Sequence, residues 1–168
     1  PLRGMEKLVK ANNAWKKCRT DHRVIYLDSG ATHHYLHPDL FDKYAKNVKS
    51  VHVEIATASK SKVYADKEGD ISWPVGSKGT YLQLMRARRV PSITENLVAP
   101  RLLAQTGVFF ATNEKGAVLR DKSGDVLINI KCLNGMYPVI LQGNKVQKWE
   151  HVLPKGCMEQ AVVKHTRQ

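Results

Sequence analysis

The chain predicts a mainly β domain in which helices play a minor part, and three observations carry that expectation. β-prone runs recur at short intervals, among them Val24–Leu27, Val51–Ile55, Ile71–Trp73, Tyr81–Met85 and Val126–Ile130. Turn-forming residues punctuate them, as in Val75-Gly76-Ser77-Lys78-Gly79 and Asp121-Lys122-Ser123-Gly124. Only two segments of the central region read as helix, both short and both opened by proline: Pro38–Tyr44 and Pro100–Thr106.

Taken in order, residues 1–22 read as an N-terminal leader: Met5, Leu8 and Val9 share a helical face before Asn12-Asn13 interrupts it. Arg23 to Leu27 is an apolar strand running into a Ser-Gly turn. The Pro38–Tyr44 helix comes next, with proline suited to its first turn. Val51-His52-Val53-Glu54-Ile55 alternates with period two, as a half-buried strand should. Thr57-Ala58-Ser59-Lys60-Ser61 suits a hairpin tip leading to a return strand at Val63-Tyr64. A second hairpin is expected about Gly76–Gly79, then a strand over Ile93–Val98 and the helix stopped by Gly107. Val108-Phe109-Phe110 resumes β structure, and Ala117–Leu119 pairs with Val126–Ile130 about Ser123-Gly124. These elements delimit one domain over 23–140, with 141–168 as a C-terminal extension rich in charge and poor in pattern.

A chain of 168 residues, 42% hydrophobic, suits one domain with one core. No run approaches the roughly 18 apolar residues of a membrane span, so no membrane partner is expected. The first residues, Pro1-Leu2-Arg3-Gly4-Met5-Glu6-Lys7, lack the apolar block of a secretory signal. Cys18, Cys132 and Cys157 are odd in number and far apart, which fits a reduced, intracellular protein. The net charge of +12, with clusters at Lys16-Lys17-Cys18-Arg19 and Arg86-Ala87-Arg88-Arg89, attracts polyanions. Non-specific RNA contact through this basic surface is the corresponding expectation; a merely solvated basic surface is the alternative. No zinc-finger, homeodomain or RNA-recognition signature supports base reading.

The chemistry concentrates in Val24-Ile25-Tyr26-Leu27-Asp28-Ser29-Gly30-Ala31-Thr32. An apolar strand that ends on a carboxylate is costly unless the acid has a partner or a task. The order Asp-Ser-Gly-Ala-Thr-x-His, completed here by His34, resembles the active-site loop of retroviral-type aspartic proteases, most closely the copia-type retrotransposon form. Asn96-Leu97-Val98-Ala99-Pro100-Arg101-Leu102-Leu103-Ala104-Gln105-Thr106-Gly107 resembles the second conserved segment of those enzymes, a strand followed by a helix with paired leucines and a terminal glycine. Ala99 stands where retroviral enzymes carry Gly and copia-type ones often Ser, a position any small residue can fill. Lys122–Val126 and Gly135-Met136-Tyr137 resemble segments downstream of the protease in copia-type polyproteins.

The resemblance implies a retropepsin-like closed β-barrel with one Asp-Ser-Gly lobe per chain. It also implies an aspartic endopeptidase that processes its own Gag-Pol-like polyprotein, in the cytoplasm within virus-like particles. One carboxylate cannot run that chemistry, because the mechanism needs two that share a proton, as aspartic proteases illustrate. A homodimer supplies the second Asp28, and no cofactor or metal is called for. In the implied site Ser29 bonds across to the partner's loop, and Gly30 provides conformational freedom and close approach. Ala31 leaves room beside an extended peptide substrate, and Thr32 bonds near the carboxylate. Leu97, Val98 and Ala99 form the floor, and Thr57, Ala58 and Ser59 the flap tip, with Gly76–Gly79 as the alternative flap.

Other constellations carry less. His33 and His37 have the helical spacing of metal ligands, but no carboxylate or cysteine completes a set, so His33, His34 and His37 read as solvated or packed. His151, Cys157 and His165 do not reproduce the zinc-binding pattern of an integrase. Trp15, Trp73 and Trp149 read as packing residues. A serine hydrolase is disfavoured, since Gly-x-Ser-x-Gly is missing. A ubiquitin-pathway protease of the retroviral type shares Asp-Ser-Gly-Ala but fits the His34 continuation less well. A catalytically silent module binding nucleic acid or protein is the alternative function.

Overall fold

A computed structural model describes residues 22–57, 60–75, 79–133, 135–142 and 145–147, with side chains left out at 142 and 145–147. The strands are β1 Val24–Leu27, β2 Tyr35–Leu36, β3 Lys46–Ala56, β4 Lys62–Val75, β5 Thr80–Arg89 and β6 Asn96–Val98. Then come β7 Phe109–Asn113, β8 Gly116–Arg120, β9 Val126–Ile130, β10 Tyr137–Gln142 and β11 Lys145–Gln147. Two helices interrupt them, α1 Pro38–Tyr44 and α2 Pro100–Gln105. The architecture is mainly β, as the patterning requires, and among the described residues no helix is long and apolar enough to cross a membrane. Of the expected leader over 1–22, all but His22 lies outside the described residues, Trp15 included, as do Trp149 and the histidines near the C-terminus.

Eight strands form one sheet in the order β11-β10-β1-β6-β2-β5-β4-β3, and β7-β8-β9 form a second, three-stranded sheet. β1 lies inside the larger sheet, antiparallel to β10 and parallel to β6. All four of its residues are buried, which explains why it reads as an unbroken apolar run with no alternation. The core joins β1 to Leu36, Phe41, Trp73, Leu84, Val98 and Leu103, with the Tyr44 ring edge-on to Trp73 at 5.4 Å. Trp73 is thus a packing residue, as expected.

The expectation of a closed barrel is corrected. β3 and β11 are the outer strands of the eight-stranded sheet, and among the described residues no ladder joins them. The sheet curls until β11 comes against β4, but closure would need a continuous hydrogen-bonded seam, which this approach does not form. β3 is built as an edge: its first five residues are exposed and two are lysines, a charge pattern that blunts strand addition. Its later residues alternate as expected, although the inward positions are only half-buried. Bulges bend the long hairpins at Asn47 and Arg86, both at positive φ. Asp70 secures both bends, accepting from the Arg86 backbone N–H at 2.8 Å and the Asn47 amide at 3.3 Å.

Two further boundaries differ from expectation. The strand predicted over Ile93–Val98 is only Asn96–Val98, because a turn with Ile93 N–H bonded to the Val90 carbonyl occupies the preceding residues. The chain past 140, expected as an extension, continues the main sheet through β10 and β11. Of the two segments that resemble stretches downstream of the protease in polyproteins, Lys122–Val126 and Gly135-Met136-Tyr137, the second ends in the main sheet, since Tyr137 opens β10 opposite Leu27. α1 spans the predicted residues, with His37 at its N-cap accepting from Asp39 N–H at 3.0 Å.

Candidate active site

β1 carries the chain to Asp28 and hands it to an exposed turn. The Asp28 backbone N–H donates to the Val98 carbonyl at 2.9 Å, so the loop is fastened to β6 at the residue that carries the acid. Ala31 N–H returns to the Asp28 carbonyl at 3.1 Å and closes the turn. Gly30 N–H donates to Asp28 Oδ1 at 2.9 Å, which orients one carboxylate oxygen. The side chain of Ser29 is exposed and takes no hydrogen bond among the described residues, and neither does Asp28 Oδ2. The acid is half-buried.

Two expected roles within the loop change. Gly30 does not sit at positive φ, so conformational freedom is not what the position demands. Close approach is: a Cβ there would stand 3.3 Å from Asp28 Oδ1. Thr32 does not serve the carboxylate; its hydroxyl bonds the Tyr35 hydroxyl at 3.0 Å and the His33 ring at 3.3 Å. Ala31 is half-buried beside the turn.

The floor is a layer of the main sheet. Val98 and Ala99 are buried and Leu97 half-buried, and Leu97 pairs with both Tyr26 and Tyr35. Asn96 ties this layer together from the buried interior. Its amide nitrogen donates to the His22 and Val24 carbonyls at 2.9 and 3.0 Å, and its Oδ1 accepts from His37 N–H at 2.8 Å.

His34 is the residue whose role the sequence reading missed. It is packed, as expected, but Nδ1 accepts from the Ala99 backbone N–H at 3.1 Å while Arg88 N–H bonds its carbonyl at 2.9 Å. The end of the Asp28 loop is thereby pinned to the start of α2, whose N-cap Ala99 supplies no side-chain cap. His34 Nε2 is buried without a partner among the described residues. Burial first, and then the neighbouring His33, lowers its pKa to about 4, so the ring is neutral. The motif position was visible in the sequence; the long-range acceptor role was not.

The flap residues are placed only in part. Thr57 bonds the Ser61 carbonyl at 2.9 Å across the neck of the β3–β4 hairpin, and Lys60 N–H donates to the Thr57 carbonyl at 3.0 Å. Ala58 and Ser59, and Gly76 to Lys78 of the alternative flap, lie outside the described residues.

A cavity of about 480 Å³ opens beside the acid, but not where substrate was expected. Its walls are Leu27, Asp28 and Ser29 on one side and Phe110, Thr112 and the Gly135–Tyr137 turn on the other, with neither the hairpin nor Leu97 and Val98 contributing. Phe110 and Tyr137 meet edge to face at 5.4 Å. Burial, followed by the adjacent Cys132 thiol, raises the Tyr137 phenol above its usual range. Burial first, and then Arg88, Arg86 and Arg101, lower the pKa of His33, while Glu68 opposes them.

The histidine pair with helical spacing, His33 and His37, is not brought together. His22, His37 and Asp39 are, with potential ligand atoms within 4.8 Å. The geometry suits a helix cap better than an ion. His37 Nδ1 already accepts from Asp39 N–H, and the His22 and His37 rings stack 3.6 Å apart at 12°, so their lone pairs run side by side and do not converge. Burial, and next His22, lowers the His37 pKa, while Asp39 opposes them.

No protein-family model matches this chain, and no curated protein or solved structure does so.

Proposed function

We propose that the chain is an aspartic endopeptidase of the retropepsin-like, copia-type retrotransposon class, acting as a homodimer on its own Gag-Pol-like polyprotein. The observation that carries this reading is the seating of the Asp28-Ser29-Gly30 turn: a buried central strand delivers the acid, the Val98 carbonyl fixes its backbone, and Gly30 orients its carboxylate. Such preorganisation is what an acid–base group needs, and it leaves Asp28 Oδ2 without a hydrogen bond among the described residues. Two Asp28 carboxylates brought together would share one proton, one acting as base on water and the other as acid toward the scissile carbonyl. An extended peptide would lie over Ala31 and the β6 floor, covered by the β3–β4 hairpin as flap.

Asp28→Asn tests it: cleavage of a precursor spanning the chain's own boundaries should vanish while the circular-dichroism spectrum and melting temperature stay those of the parent. A mutant that cleaves like the parent removes the assignment. A second reading, a non-catalytic module that binds RNA non-specifically, draws on the net charge of +12 and on Arg86, Arg88 and Arg101, whose charges reach His33. It predicts steeply salt-dependent RNA binding that Asp28→Asn leaves untouched.

A further inference from the structure

A second cavity, of about 410 Å³, shares no residue with the one beside Asp28. It lies on the β3-β4-β5 meander and is lined by Lys46 and Asn47 of β3, Asp70 and Ser72 of β4, and Gln83 and Met85 of β5, with Tyr44 from the end of α1. Strand alternation turns this face outward: Leu82 and Leu84 are buried in the core, while Met85 is 42% exposed. The volume falls within the roughly 300–1,000 Å³ usual for a small-ligand site. Its frame is preset, because Asp70 holds the bulges at Asn47 and Arg86 together.

The polar groups of this lining are unspent. The Tyr44 and Ser72 hydroxyls and the Gln83 amide take no hydrogen bond among the described residues, and the Lys46 ammonium makes no ion pair there. Neighbouring cations are already matched, Lys49 and Arg86 to Glu68 and Arg89 to Asp42 and Asp66. Asp70 is engaged by the Arg86 N–H and the Asn47 amide, and no histidine or cysteine stands beside it, so the set does not suit a metal ion. It suits a nucleotide. The Gln83 amide sets a donor and an acceptor side by side, the pattern that reads the N6/N7 edge of adenine. The Met85 thioether offers a soft apolar surface to the base, and Lys46 a cation to the phosphate. Tyr81, 48% exposed and two positions before Gln83 on the same face of β5, gives an adjoining base a ring to stack on. We propose that this cavity receives one nucleotide of a single-stranded RNA, drawn in by the net charge of +12. The proposal rests on the RNA-binding reading above, to which it gives a place, and asks nothing of Asp28. Duplex RNA is excluded from the cavity, since its bases are already paired and stacked.

Fluorescence anisotropy of the full chain with a short fluorescein-labelled oligoadenylate, and with a duplex RNA of the same length, tests it. Met85→Ala and Gln83→Ala leave the charge unchanged, so each should weaken oligoadenylate binding about fivefold or more without altering its salt dependence. Both should bind duplex RNA as the parent does, which also shows that they fold. Lys46→Ala should weaken oligoadenylate binding and lower the slope of log affinity against log salt by about 0.7. Lys115→Ala removes the same charge from the exposed turn between β7 and β8, and should change oligoadenylate affinity less than about twofold. Parent-like oligoadenylate binding by Met85→Ala or Gln83→Ala overturns the site, as does an equal loss on duplex RNA. Equal losses from Lys46→Ala and Lys115→Ala also overturn it, and leave binding by bulk charge standing. A parent that binds neither RNA at low salt removes the site together with the RNA reading beneath it.

Discussion

Acidification should loosen this protein chiefly through one side chain, His34. Its Nδ1 must be an acceptor, because the partner is the Ala99 backbone N–H at 3.1 Å. Protonation would set two donors against each other in a site where the residue is 1% exposed. The folded-state pKa is about 4, below the ordinary value of 6.5. The unfolded chain therefore binds the proton first as pH falls, and stability drops with it. The contribution is fully present above pH 6.5, declines as pH falls through the interval, and is exhausted below about 4. At about 1.4 kcal/mol per unit of pKa difference, the whole interval is worth about 3 kcal/mol, and about 2 kcal/mol has gone by about pH 5. That is a large part of the roughly 5–15 kcal/mol typical of a domain.

His34→Asn isolates the effect, because the Asn Oδ1 stands near the Nδ1 position and can accept from Ala99 N–H without titrating. His33 and His37 also have lowered pKa values and slope the same way, so the difference between parent and variant is the informative quantity. Urea unfolding at half-unit steps from about pH 7.5 to about pH 4 should show the parent losing about 3 kcal/mol more than His34→Asn, with nearly all of the divergence below about pH 6.5. Parallel curves for the two proteins would refute the argument, since they would mean that the ring takes up its proton in the folded state without cost.

Three further substitutions probe the site's supports. Asn96→Ala removes three hydrogen bonds and strands the His37 N–H and two carbonyls, so it should cost about 2–4 kcal/mol in urea unfolding. Arg89 grips Asp42 through two nitrogens, at 2.9 and 3.1 Å, and Asp66 at 2.7 Å. Arg89→Lys keeps the charge but loses the fork, and should lower stability by about 1–2 kcal/mol, measured at moderate salt. Gly30→Ala has no backbone strain to overcome, so the melting temperature should barely move. Its Cβ would crowd Asp28 Oδ1 at 3.3 Å, and precursor cleavage should fall roughly tenfold or more.

The features legible in the sequence were those that local chemistry decides. Pro38 and the Leu40 and Phe41 pair defined α1, which spans the predicted residues. Gly107, at φ +89, comes just after the last turn of α2, as the pattern required. The apolar run ending on Asp28 was recognisable because a doubly paired strand shows no alternation. Pairing across long separations was not legible. Nothing in Tyr137–Ile140 announces that it lies against Val24–Leu27, and the cavity beside Asp28 exists only because it does. Barrel closure failed for the same reason: it depends on how two remote edges, β3 and β11, meet. His34 was noticed as a motif letter, but its acceptor role needs Ala99, 65 residues away.

The proposed dyad and the His34 support of its loop respond to protons in opposite senses, and together they would bound the pH at which the dyad can work. A shared-proton carboxylate pair needs one proton retained, so its activity falls as pH rises past the upper of its two coupled pKa values. The His34–Ala99 bond needs a proton withheld, and is lost as pH falls toward about 4. Activity should therefore show a bell-shaped pH profile whose acid limb belongs to the scaffold and whose alkaline limb belongs to the dyad. His34→Asn should extend the acid limb downward while leaving the alkaline limb in place, read as cleavage rate against pH with enzyme held above its dimer dissociation constant. An acid limb that does not move under that substitution assigns it to the carboxylates, and removes His34 from the control of the site.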